Sequence, residues 1–466
     1  MAAEIPAPAP LAGVLTPPTE TAMRLGNLQL FSISAMWLAL SALWGGLLTL
    51  FLPVQVEDIL RQNGLTADQV VAQKPLAEGL VIAAGAVVAL LIPPLVGALS
   101  DHSTHRMGRR RPFIIGGVLI TILGMFGMMT PSSLLVYAAA YLLVQFGSNI
   151  AVAAYQGIVP DMVPDTQRGH ASGWLGLMSI LGNIIGLILG GLGLSRAHAD
   201  DLLTAQQQII VYGVMIALLV VFLGITVFGV HEKQQLPTGR KESLVAMLRA
   251  LWISPREYPD FAWVWVTRFL VTMGFNSVQF FLLYFLQDVV GVSRDAIAGH
   301  ASVMYLGLLL SGAVSSIIGG RISDQKGRKP LIYFAGGLMS VTGALFILYI
   351  LLGTPPTPGL FEGAFNSVVY IGIGFGIGYG TYQSVDWALG TDVLPNRETG
   401  AAAAMGVWHI SFVLPQTLAT IFAGSLLTAT ANAGMAPGPR YALVFGMSII
   451  YFILGTVFVR KVKGAR

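Results

Sequence analysis

The sequence predicts an all-α membrane protein of twelve transmembrane helices, arranged as two pseudo-symmetric six-helix bundles with both termini cytoplasmic. Three observations predict it. Of 466 residues, 55% are hydrophobic and 10% charged, against about 25% charged in soluble domains. Apolar runs long enough to cross a bilayer recur twelve times, and two charged motifs recur at about half the chain length.

The runs fall at about 29–54, 78–100, 112–130, 133–160, 171–194, 208–230, 260–287, 298–320, 330–352, 364–391, 400–428 and 440–459. About twenty apolar residues span the hydrocarbon, where backbone groups must pair within their own segment, so each run is a helix. Orientation follows from Lys and Arg. With a cytoplasmic N-terminus, the inner segments hold 20 of them and the outer loops 5, the bias that retains basic loops inside the cell membrane. The net charge of +4 therefore reflects insertion, and nucleic acid is excluded as a partner. Residues 1–22, Pro/Ala-rich and without a basic leader before an apolar core, read as a disordered cytoplasmic tail. Residues 23–230 form the first bundle and 259–466 the second. Between them, residues 231–258 carry Leu244, Leu248 and Leu251 with Lys241, Glu242 and Arg249 elsewhere on the turn, an amphipathic linker helix on the inner leaflet.

The halves repeat. Gly97-Ala98-Leu99-Ser100-Asp101, then Gly108-Arg109-Arg110-Arg111-Pro112, recurs as Gly320-Arg321-Ile322-Ser323-Asp324, then Gly327-Arg328-Lys329-Pro330. Asp161, Pro164 and Gly169 recur as Asp392, Pro395 and Gly400. The offsets, 223 and 231 residues, lie near half the chain and imply a duplicated six-helix unit.

The stretch Gly320 to Lys329 resembles the signature loop between the second and third helices of major facilitator half-domains. The first copy carries four extra residues before its Gly-Arg pair. In that longer form, Ser100 to Ile114, it is similar to plant sucrose transporters, their animal sugar-transporting relatives and the glycoside-pentoside-hexuronide cation symporters. The resemblance implies a gate that breaks and reforms during alternating access, built from Asp101, Gly108, Arg109, Arg110, Asp161, Arg168, Asp324, Gly327, Arg328, Lys329, Asp392 and Arg397. The same arginines would also serve as topology determinants.

Polar groups at bilayer depth are costly and so mark function. Asp386 lies six residues before Asp392, about 9 Å further in. Tyr379, Gln383 and Asp386 share one helical face, flanked by Tyr382 and Trp387. In the fourth span Gln145, Asn149 and Gln156 form an amide stripe. These two faces are expected to meet across a central cavity. Amides and carboxylates suit sugar hydroxyls, and aromatic rings suit the C–H faces of a pyranose; an internal polar knot between helices is the alternative. Asn276 and Gln279 extend the lining, and Trp44 gives the first span an aromatic face. Counting back from Asp161, Gln145 stands where the sucrose transporters carry a carboxylate linked to proton binding. An amide cannot titrate, so coupling would fall to Asp386, with Arg268 and His409 within reach; for these two, snorkelling to headgroups and helix packing are the alternatives.

Catalytic parts are missing. Zero Cys excludes a disulfide framework, a thiolate metal site and a Cys nucleophile, the seven His are scattered, and no Gly-x-x-x-x-Gly-Lys-Ser/Thr loop encodes ATP use. No metal or cofactor is expected. The reading is a monomeric secondary transporter in the inner membrane, moving a sugar or glycoside with a proton. The alternatives are a uniporter or exporter of another small polar or amphipathic solute, and a non-transporting assembly or pigment-delivery protein on the same fold.

Overall fold

The structure is a computed structural model describing residues 24–131, 133–193, 202–230, 253–292, 297–352, 364–395 and 401–464. The tail at 1–22, the linker helix, Arg397 and Gly400 lie outside the described residues, save that 253–258 of the linker are included. Among the described residues the regular structure is entirely helical.

Helix α1 is Asn27–Gly46, continued through a π-helical turn, Leu47–Phe51, into Leu52–Gln62. There follow α2 (Ala67–Asp101), α3 (Arg111–Met129), α4 (Leu134–Gln156), α5 (Arg168–Gly193) and α6 (Ala205–Gly229). The second half holds α7 (Pro259–Asp288), α8 (Ile297–Lys326), α9 (Arg328–Leu352), α10 (Ala364–Asp392), α11 (Ala401–Asn432) and α12 (Pro437–Phe458). The starts are chemically marked. Thr66, Ser133 and Thr204 cap α2, α4 and α6 at the outer face, each side-chain oxygen accepting a backbone N–H from the first turn. Pro112, Pro259 and Pro437 occupy first-turn positions of α3, α7 and α12, where the missing N–H costs nothing.

Among the described residues ten helices are long and apolar enough to cross a membrane. α7 and α10 are as long as their neighbours, and they carry Arg268 and Asp386.

Packing follows the repeat. In the first half α1 packs on α5 and α6, α4 on α2 and α3, and α3 on α6; in the second half α7 packs on α11 and α12, α10 on α8 and α9, and α9 on α12. The halves meet through α2 on α11 and, equivalently, α5 on α8. These seams are tight because small residues line them: a Cβ on Gly320 would run into the backbone of Gly169 and Gly173, and one on Gly97 into that of Ala402. Each half has its own apolar core, yet the first continues across the seam to Trp387, Met405 and Trp408. Leu119, Leu123 and Phe126 of α3 and Ile450 of α12 are among the large apolar side chains exposed at the rim, where acyl chains replace water.

Candidate functional site: a latched seam and a buried ion pair

At the cytoplasmic ends, the two loop motifs fold alike. Gly108 (φ +100°) and Gly327 (φ +92°) turn through left-handed backbone that side chains disfavour, which aims the following arginines back at the helix ends. Arg110, fully buried, holds Asp101 at 2.6 Å and Asp161 at 3.0 Å and donates to Ser100 at 2.6 Å; Arg109 also pairs with Asp161. Burial opposes the charge on Arg110, and the two carboxylates more than offset it, holding the guanidinium above its usual range. In the second half Arg328 holds Asp324 at 2.6 Å, Asp392 at 3.2 Å and Ser323 at 2.7 Å. Lys329 follows in the first turn of α9, half-buried.

Both aspartates then reach across the seam. Asp101 accepts from the amides of Ala402 (3.2 Å) and Ala403 (2.9 Å) at the start of α11. Asp324 accepts from Gly169 (2.8 Å) and His170 (2.7 Å) at the start of α5. A carboxylate at a helix N-terminus satisfies orphan amides and complements the dipole. Arg168 adds a contact to Asp392 at 3.3 Å. Two equivalent clasps thus join the halves at the cytoplasmic ends.

Deeper in, Arg268 of α7 lies 2.8 Å from Asp386 of α10, both 3% exposed or less. Tyr382, one turn above on α10, donates to the same carboxylate at 3.0 Å. The guanidinium also lies on the face of Trp408, 3.3 Å from the ring centroid, with Trp387 and Phe412 beside it. One half-period of 231 residues earlier stand Trp37 for Arg268 and Tyr155 for Asp386, and those two rings stack at 5.9 Å. The same architectural slot is aromatic in one half and charged in the other.

The amide stripes lie nearer the outer face. Gln145 donates to Tyr141 (2.8 Å), and Asn149 donates to the Gln145 side chain (3.0 Å). Gln383 donates to Tyr379 (3.0 Å), whose ring stacks on Phe275 at 3.7 Å. By the half-period, Tyr379 is level with Ser148, next to Asn149, whereas Asp386 lies six residues deeper than the level of Asn149, about 9 Å. Asp386 therefore sits below the stripes, turned towards α7, and no hydrogen bond links the two stripes among those described. Trp44 meets Tyr141 edge-on and is half-buried. Asn276 donates to the carbonyl of Thr272, and Gln279, half-buried, accepts from Tyr305 through its carbonyl. Trp387, 3% exposed, is wedged between Trp408 (4.8 Å) and Trp37 of the opposite half (5.3 Å). His409 faces away from Asp386 in hydrogen bonding: its Nδ1 lies 2.8 Å from the Gln156 amide nitrogen, again across the seam. Helix spacing had grouped Gln156 with the α4 stripe and gave no sign of this bond. Among the described residues no cluster of His, Asp and Glu could hold a metal ion.

With this architecture in view, the family model of the Major Facilitator Superfamily matches residues 38–413. The chain belongs to the major facilitator superfamily. It is a multi-pass membrane transporter of that superfamily. Among curated proteins it is 22% identical to a sucrose transport protein of Arabidopsis thaliana, over 73% of this chain and 75% of that one. It is 26% identical to a general alpha-glucoside permease of Schizosaccharomyces pombe, a match spanning 47% of this chain and 42% of the permease. Among solved structures, a bacterial homologue of the iron transporter ferroportin in an outward-facing state superposes with TM-score 0.67 at 12% identity, covering 94% of this chain and 99% of that one. A proton:xylose symporter superposes with TM-score 0.65 at 16% identity, covering 92% and 96%.

Proposed function

We propose that this facilitator is a secondary active transporter of the cytoplasmic membrane that, as a monomer, carries a neutral sugar or glycoside together with a proton. One observation carries the reading: the buried ion pair of Arg268 with Asp386, away from the cytoplasmic clasps, lies beneath two stripes whose hydrogen-bonding side chains are neutral amides and phenols. Opposite charges cancel within the pair, so the lining suits an uncharged polyol. Gln145, Asn149, Gln383 and Tyr379 supply paired donors and acceptors for hydroxyls, and Trp44 supplies a flat face. The names of the sucrose and alpha-glucoside relatives agree with that chemistry.

Asp386 supplies the coupling. Ionised, it is held by Arg268 and Tyr382; protonated, it releases Arg268, which keeps a partner in the face of Trp408. An acid that alternates between these states as the site opens to each side moves one proton per cycle. Asp101, Arg110, Asp161, Arg168, Asp324, Arg328 and Asp392 hold the cytoplasmic side closed during the outward part of that cycle.

The test is uptake by purified protein in sealed vesicles, against a panel of neutral sugars, glycosides and sugar acids, with and without an imposed pH gradient. Gradient-driven accumulation of a neutral sugar is expected. Equilibration without accumulation would replace symport by uniport, and transport confined to charged or amphipathic solutes would remove the sugar assignment.

A further inference from the structure

Between the surface clasps and the amide stripes lies a layer that neither the latch nor the ligand lining uses. Gln156 stands five residues before Asp161, and Trp387 five residues before Asp392. They are half-period equivalents, about 7–8 Å inward of the clasps. Each crosses the seam. Gln156 of α4 meets His409 of α11, and Trp387 of α10 meets Trp37 of α1. The aromatic contact is continuous from one half to the other: Tyr155, Trp37, Trp387, Trp408, then the Arg268 guanidinium. This is also where the core of the first half runs on into the second.

We propose that Trp37 with Trp387, and Gln156 with His409, form an inner gate that closes the cytoplasmic pathway independently of the surface clasps, with Trp408 fastening it to Arg268. Trp387 is then a gate residue: its ring is enclosed by two indoles and has no free face to offer a sugar. Gln156 is suited to a contact that must be made and broken. Its amide oxygen is buried without a hydrogen-bond partner in the closed arrangement, so closure gives up one of its bonds and the bond to His409 is opposed by that loss. Opening lets water reach both ends of the amide. The gate needs only that the two halves rock apart, so it holds whatever the solute and whether or not a proton is carried.

The chain has no cysteine, which allows site-directed spin labels in an otherwise unaltered full-length protein. Met107→Cys, in the loop after α2, and Lys326→Cys, at the last residue of α8, place labels on exposed cytoplasmic positions, one per half. In lipid nanodiscs, the distance distribution between them reports closed and open cytoplasmic sides. Trp37→Ala, Trp387→Ala, Gln156→Ala and His409→Ala are each expected to raise the ratio of long to short distances about three- to tenfold. The Gln156→Ala/His409→Ala double variant should shift no further than either single one. Trp44→Ala, on the same helix but packed on Tyr141, should leave the ratio unchanged. Trp37→Phe and Trp387→Phe, which keep a ring at the seam and retain the fold, should give a smaller shift in the same direction. An unchanged ratio in the Phe and Ala variants alike, or additive effects at Gln156 and His409, would overturn the gate. Failure of sugar uptake in the wild type would leave this measurement intact.

Discussion

Removing the Asp101 carboxylate isolates one clasp. Its bond to Arg110 lies within the first half and persists when the halves rock, so it cancels between the two states. The two amide bonds to Ala402 and Ala403, 3.2 and 2.9 Å, exist only when the seam is closed. Hydrogen bonds to a charged group are each worth about 1.5–3 kcal/mol net, and open-state hydration of the amides recovers part of that. A loss of about 3 kcal/mol follows for Asp101→Ala, near a hundredfold shift towards the cytoplasm-open state at 1.4 kcal/mol per tenfold. Asp101→Asn keeps one acceptor oxygen and should shift by about tenfold. A cysteine at Ser316, fully buried at the seam and bonded across it to Gly173, reports this as its reaction rate with an impermeant maleimide added from the cytoplasmic side. Substrate affinity should stay within about tenfold while transport falls severely, because the clasp is remote from the lining. Unchanged labelling in Asp101→Ala, or affinity lost in step with transport, would refute the reasoning.

Three further outcomes follow from the same geometry. Arg268→Met strands a buried carboxylate, a cost of about 3–5 kcal/mol, so thermal unfolding in detergent should occur at lower temperature, and adding Asp386→Asn should recover most of the loss. Gly327→Ala forces a side chain into left-handed backbone at roughly 1–2 kcal/mol, lowering both thermal stability and turnover; Gly446→Ala, where an added Cβ meets nothing within 4 Å, should do neither. Gln145→Ala removes a hydroxyl partner and should weaken binding of the transported sugar about tenfold by calorimetry, while uptake into vesicles keeps its dependence on the pH gradient.

The fold was legible because lipid imposes a simple rule: a helix must pair its own backbone over some twenty residues, and that leaves an apolar run. The rule is weakest where function intrudes. α10 interrupts its apolar run with Tyr379, Gln383 and Asp386, and its repeat of the α4 region supports it as a span. Within one helix, spacing shows which polar groups share a face, as with Tyr379 and Gln383. Spacing within a helix does not show depth relative to another helix; that takes the repeat, by which Asp386 lies ten residues, about three turns, inward of the level of Gln145. Contacts across the seam, Trp37 with Trp387 and Gln156 with His409, leave no local pattern at all. They depend on how two bundles meet in one conformational state, and the pairs are separated by 350 and 253 residues.

The central claim is that Asp386 carries the coupled proton. The most direct test compares Asp386→Asn with the wild type in sealed vesicles, measuring gradient-driven accumulation of labelled sugar and its exchange between equal concentrations on both sides. The amide mimics the protonated acid, so accumulation should vanish while exchange continues at a comparable rate. Full gradient-driven accumulation by Asp386→Asn would contradict the account.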